Sequence, residues 1–133
     1  MYIENNVRPD KDKKSEWLKV VDLFFRSWHI GTSSVFFGGL VFLVPFTRLA
    51  AWHHLAIATG IIMIIFNTLK SRHWPYQGRG VAALLHVGIV WSVHIWPGQA
   101  APLLATALAI GVTGSHMPGS IRHWSLIHGK RID

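Results

Sequence analysis

The stretch Ala50 to Leu69, AAWHHLAIATGIIMIIFNTL, decides how the rest of the chain is read. It carries no charged side chain, and it has the roughly 20 residues that an α-helix needs to cross the hydrocarbon core of a bilayer. Three more apolar blocks flank it, from about Leu23 to Val44, from Gly80 to Trp96 and from Ala100 to about Ser115. The first is long enough to span. The last two are short, so they are expected to tilt, to be extended by flanking Trp and His, or to be sheltered by neighbouring helices. Helix-breaking residues separate the blocks: Pro45, then the run Arg72 to Gly80 with Pro75, Gly78 and Gly80, then Trp96-Pro97-Gly98. Every connection is short, which makes consecutive helices antiparallel.

The predicted fold is therefore all-α, an integral membrane four-helix bundle with up-down topology. Residues 1–22 form a polar arm or short surface helix, 23–116 the four-helix domain, and 117–133 a basic tail. Composition agrees: 50% of residues are hydrophobic and only 14% charged, and the apolar residues come in continuous blocks rather than at the scattered spacing of a soluble helical domain. The absence of cysteine excludes disulfides, thiolate metal sites, iron–sulfur ligation and covalent c-type haem attachment. No cleavable signal is expected, since the first apolar run starts well into the chain and has no small-residue cleavage site, so the first span stays as an anchor.

Lys and Arg set the orientation. The arm holds Arg8, Lys11, Lys13, Lys14 and Lys19, the loop between the second and third blocks holds Lys70, Arg72 and Arg79, and the tail holds Arg122, Lys130 and Arg131. The opposite loops carry Arg48 and no Lys. Both termini are thus expected in the cytoplasm of a bacterial inner-membrane, multi-pass protein. The net charge of +7 reads as topology plus affinity for anionic lipid, and not as nucleic-acid binding.

Nine histidines sit in a chain with no Asp or Glu between Asp22 and Asp133, so imidazole must supply any ligand or proton chemistry in the spans. Ionisable groups at membrane depth are functional candidates by default. At about 1.5 Å per helical residue, His29, His86 and His116 share an inner layer, and His53, His54 and His94 an outer one. Two imidazoles on facing helices at one height are what b-type haem ligation requires, each oriented by a hydrogen bond from its other ring nitrogen. For an inner haem the candidate pair is His86 with His29 or His116. For an outer haem it is His94 with His53 or His54. Gly31, Ser34, Gly38, Gly60 and Gly88 could clear room for a macrocycle or serve close helix packing. Arg26 and Arg79 on the inner side and Arg48 on the outer are candidate propionate partners. Tryptophans at the span ends serve as rim residues or interfacial anchors. His73, His123 and His128 are expected in the inner loop and tail.

From Ser27 to His116, in architecture and His placement, the chain loosely resembles the small four-helix b-type cytochrome membrane subunits and the four-helix haem-binding modules of haem-synthesis and copper-resistance membrane proteins. The resemblance implies electron transfer between a membrane quinone pool and a partner redox protein, as a subunit of a complex or a homo-oligomer rather than as a stand-alone enzyme. The chain departs from quinol-oxidising cytochrome b in its His spacing, and it has no carboxylate within the spans to deprotonate a quinol.

Two other readings stand beside this one. His116, Met117 and His123 are soft enough ligands for Cu(I), although the same segment reads better as a helix end at Gly114 to Pro118 followed by an amphipathic surface segment anchored by Trp124. A cofactor-free structural subunit of a respiratory or photosynthetic complex would use its glycines for packing and its histidines for hydrogen bonds. Zinc hydrolysis has no carboxylate to serve as general base, and a path for polar solutes has few groups to line it.

Overall fold

A computed structural model describes residues 9–132 of the chain, with side chains from Glu16 onward. The expected arm residues before Pro9, Arg8 among them, lie outside the described residues. The chain is all-α apart from a two-residue ladder in the tail. Its helices are α1 (Pro9–Val41), α2 (Phe46–Lys70), α3 (Gly78–Ser92), α4 (Ala100–His116) and a single turn, α5 (Gly119–Arg122).

The expected break at residue 22 does not occur. Helix α1 runs unbroken through it, because between Lys11 and Ile30 there is neither Pro nor Gly to stop a helix. At 33 residues it is about 50 Å long. It ends earlier than expected, in a turn where the Leu43 amide bonds the Leu40 carbonyl at 3.1 Å and the Val44 amide the Gly39 carbonyl at 2.8 Å. That is the Schellman arrangement, here with Leu43 at φ 58° in the place where glycine is usual. Pro45 cannot continue a helix it follows but suits the entry to the next, and α2 starts directly after it.

Helices α1 and α2 pack along one another, as do α3 and α4, and the two hairpins touch chiefly through α1 and α4. Gly39 allows the first pair to approach closely, since a Cβ there would run into the Leu49 side chain. Helices α2 and α3 do not pack closely, which leaves a cleft between the hairpins. The apolar core is small: Phe36, Leu49 and Leu104 are buried, with Phe37, Leu40, Val44, Val90 and Val93 against them.

Most large apolar side chains point outward instead. Ile61, Ile65, Leu84, Leu85, Trp91 and Val112 are all more than half or nearly half exposed, and only 17% of the most apolar stretch of α2 is buried. Among the described residues α2 is the one helix long and apolar enough by itself to cross a membrane. Helix α1 is diluted by Arg26, His29 and the polar run Thr32 to Ser34, while α3 and α4 are short, at 15 and 17 residues.

The connection from α2 to α3 and the tail fold together at one end. A 3₁₀ turn, Trp74–Tyr76, buries Trp74, and Gly80 lies so close to the Trp74 carbonyl that a side chain would collide with it. The tail, expected as an amphipathic surface segment, instead forms α5 and a ladder of β1 (Trp124–Ser125) with β2 (Lys130–Arg131), turned at Gly129 with φ +60°. It docks through a bridge between Ser125 and Gln77, both wholly buried.

Candidate functional site

The cleft between the hairpins brings histidines from three helices together at two heights. At the inner height, His29 of α1 and His86 of α3 have ring centres 6.4 Å apart, with planes inclined at 69°. At the outer height, His53 of α2 and His94, in the turn that follows α3, have ring centres 6.2 Å apart, also at 69°. The eight residues from His86 to His94 correspond to about 12 Å along a helix.

Hydrogen bonding fixes the tautomers of the inner pair. His29 Nδ1 lies 3.0 Å from both the Ala56 carbonyl and Thr59 Oγ1 of α2. The Thr59 hydroxyl gives its own proton to the Leu55 carbonyl at 2.7 Å, so it can only accept from the ring. With two acceptors facing it, Nδ1 carries the hydrogen, and Nε2 presents a bare lone pair. His86 does the same across the other hairpin, its Nδ1 donating to the Ala107 carbonyl at 2.7 Å. Backbone carbonyls of this kind orient imidazole ligands and raise their basicity.

Glycine makes room for both inner rings. A Cβ on Gly60 would sit 3.1 Å from Cε1 of His29, and one on Gly111 would sit 3.3 Å from Nδ1 of His86. Gly60 thus accommodates an imidazole. Gly31, Gly38 and Gly88 face open space.

The outer pair is held by ring contacts alone, with His53 part-buried and His94 exposed. The His53 ring lies 5.0 Å from that of Phe36 and 5.5 Å from that of Phe46, and His94 lies 5.4 Å from Trp91. The shielded Nδ1 of His53 has no hydrogen-bond partner among the described residues. A cavity of about 370 Å³ opens beside this pair, bounded by Phe36, Leu40, Val90, Val93 and Leu104 as well as the two histidines. That volume lies within the span, roughly 300 to 1,000 Å³, of small-molecule and cofactor sites.

These spacings suit a metal shared by two rings. A metal–imidazole bond is about 2 Å long, so two rings bound through Nε2 to one iron have centres roughly 6 Å apart. Both pairs are near that value, and the inner pair has the free Nε2 and the tethered Nδ1 that ligation demands.

The other candidates fall elsewhere. His116 is exposed and its Nδ1 lies 3.0 Å from the Val112 carbonyl of its own helix, so the inner partner of His86 is His29. His54 is exposed, its ring 5.5 Å from that of His53, as its 100° offset around the helix dictates. Arg48 is exposed at the start of α2. Arg26 is half-buried and paired with Asp22 at 3.3 Å, and Arg79 Nε donates to Gln77 Oε1 at 2.9 Å. Met117 packs against Gly78. Among the described residues no three His, Asp or Glu side chains gather as a metal cluster. Ala56, Thr59, Ala107 and Gly111 contact the inner histidines and are positions that sequence reasoning did not single out. Their one signal is small-residue spacing on α2 and α4, which by itself means helix packing.

No family model, no curated protein and no solved structure matches the chain.

Proposed function

We propose that this chain is a multi-pass inner-membrane electron-transfer subunit that holds one or two b-type haems, the inner between His29 and His86 and the outer between His53 and His94. The observation that carries the reading is the inner pair: two imidazoles at ligation distance, on helices of different hairpins, each with Nδ1–H committed to a backbone carbonyl. An isolated buried histidine needs one such bond, but facing histidines with their Nε2 atoms left over are arranged for a shared electrophile. The haem when bound would supply a one-electron Fe(III)/Fe(II) couple. The paired histidines would hold it, and the cleft between the hairpins would house it. Arg26, one turn inward of His29, is the cation within reach of a propionate at the inner site.

Placement in a bilayer is supported by the outward-facing apolar side chains on all four long helices and by the grouping of Lys and Arg at the end where α1 begins, α2 meets α3 and the tail folds. In a four-helix bundle α3 and α4 can be short because their neighbours shelter them. The partners implied are a redox protein, or a second copy of the chain, and a quinone in the same membrane.

The test is a reduced-minus-oxidised absorption spectrum of the detergent-purified protein, with pyridine haemochrome and copper measured on the same sample. A b-type signal approaching one or two haems per chain is expected. A colourless preparation that was never stripped would overturn the reading in favour of a structural subunit, and stoichiometric copper without haem would favour the copper site.

A further inference from the structure

The inner end of the bundle gathers more positive charge than it neutralises. The described carboxylates there are already engaged, Glu16 with Lys19 at 3.1 Å and Asp22 with Arg26 at 3.3 Å and Lys70 at 3.5 Å. Two more cations converge on the same place. Gly78 packs directly on the Ile121 carbonyl, to which a Cβ would come within 2.5 Å, so the next residues, Arg79 and Arg122, follow from backbones in direct contact. Arg79 accordingly feels the charges of Arg122, Arg26 and Asp22. Both residues are part-buried, and like-charge repulsion in such places is screened less than at an open surface.

The pair is built rather than incidental. Gln77 is wholly buried and holds both halves: its Oε1 accepts from Arg79 Nε at 2.9 Å, and its Nε2 donates to the Ile132 carbonyl of the tail at 2.7 Å. The tail is locked in turn by the Leu126 amide on the Tyr76 carbonyl at 3.0 Å. With Nε engaged, the terminal nitrogens of Arg79 remain for a ligand, and Arg122 on the adjoining turn adds a second cation close enough to act on it. Paired guanidinium forks match the oxygens of a phosphate.

We propose that Arg79 and Arg122, positioned by Gln77 and the folded tail, form a discrete binding site for the phosphate of an anionic phospholipid at the inner face of the membrane. The site rests on the membrane placement argued above and not on haem. A propionate is a poorer occupant: Arg26 lies one turn from His29, whereas Arg79 lies seven residues, two turns, from His86, with Arg122 beside it on the tail.

The experiment is native mass spectrometry of the full chain in neutral detergent, titrated with phosphatidylglycerol or with phosphatidylcholine. The haem spectrum of each sample and resistance of the membrane-bound protein to carbonate extraction are recorded separately, so that loss of the membrane or haem reading is seen independently of lipid binding. One tightly held phosphatidylglycerol per chain is expected, with about tenfold preference over phosphatidylcholine, the scale of a charge-assisted hydrogen bond. Arg79→Gln with Arg122→Gln should abolish the preference, and Gln77→Leu should weaken it while leaving both guanidiniums in place. The milder Arg79→Lys with Arg122→Lys keeps the charge and should lose part of the affinity. Arg72→Gln, an exposed loop cation, should change nothing. Equal binding of the two lipids would overturn the site. So would an Arg72→Gln effect as large as that of the pair, or loss of haem with lipid binding intact in the Arg79 and Arg122 variants.

Discussion

At the scale of single residues, the proposal turns on which nitrogen of each imidazole is occupied. Because Nδ1 of His86 is tied to Ala107, only Nε2 can ligate, and His86→Ala should remove the inner haem signal while leaving the outer. His94→Ala should do the converse, and full haem content in both variants would show the ligands to be elsewhere. His73→Ala and His128→Ala should leave the haem spectrum unchanged, since those rings contact each other outside the cleft. Gly60→Val is a finer probe. Its side chain would press on the His29 ring from 3.1 Å, tilting Nε2 away from its target, and a selective loss of the inner absorbance is expected with the outer retained. The heights of His29, His86, His53 and His94 were legible in the sequence because helical rise is fixed. Their pairing was not, because which helices face one another depends on packing between hairpins. The carbonyls of Ala56 and Ala107 could not have been named at all, since every residue has a carbonyl and only tertiary placement selects one.

At the scale of elements, the chain announces its breaks well and its helix ends poorly. Pro45, Pro75 and Pro97 mark each connection because a proline both removes a donor and fixes φ. The end of α1 was misread by three residues because Phe42, Leu43 and Val44 are as apolar as the helix before them, so hydropathy could not reveal the turn. The turn itself makes a prediction. A branched side chain in the left-handed region costs about 1 to 2 kcal/mol, and Leu43 is 89% exposed, with little packing to offset that. Leu43→Gly should therefore stabilise the protein by about 1 kcal/mol, read as a raised thermal midpoint in detergent. Gly39→Val should act oppositely, by about 1 to 3 kcal/mol, because its side chain would drive Leu49 out of the contact that closes the first hairpin. The tail was illegible for a related reason. Two-residue strands have no period, and the docking depends on the burial of Gln77, a polar residue with nothing in the sequence around it to signal burial.

At the scale of the whole molecule, asymmetry of charge and asymmetry of packing point the same way. Cations from the arm, the α2–α3 connection and the tail collect at one end, where the tail is folded down on Gln77. The other end holds the cavity and the apolar core, with Arg48 as its cation. Anionic lipid on a cytoplasmic leaflet stabilises each nearby Lys or Arg by about 1 kcal/mol, so the membrane placement proposed above predicts both termini inside. The absence of cysteine makes this directly measurable. Single replacements Glu16→Cys on α1, Gly98→Cys in the outer turn and Ser120→Cys in the tail place one thiol at each exposed position. A membrane-impermeant maleimide should label residue 98 alone in intact cells stripped of their outer barrier, and residues 16 and 120 alone in inverted vesicles. Labelling of 16 and 120 from opposite sides would mean an odd number of crossings and would overturn the proposal of a four-helix membrane bundle with histidine pairs at two depths.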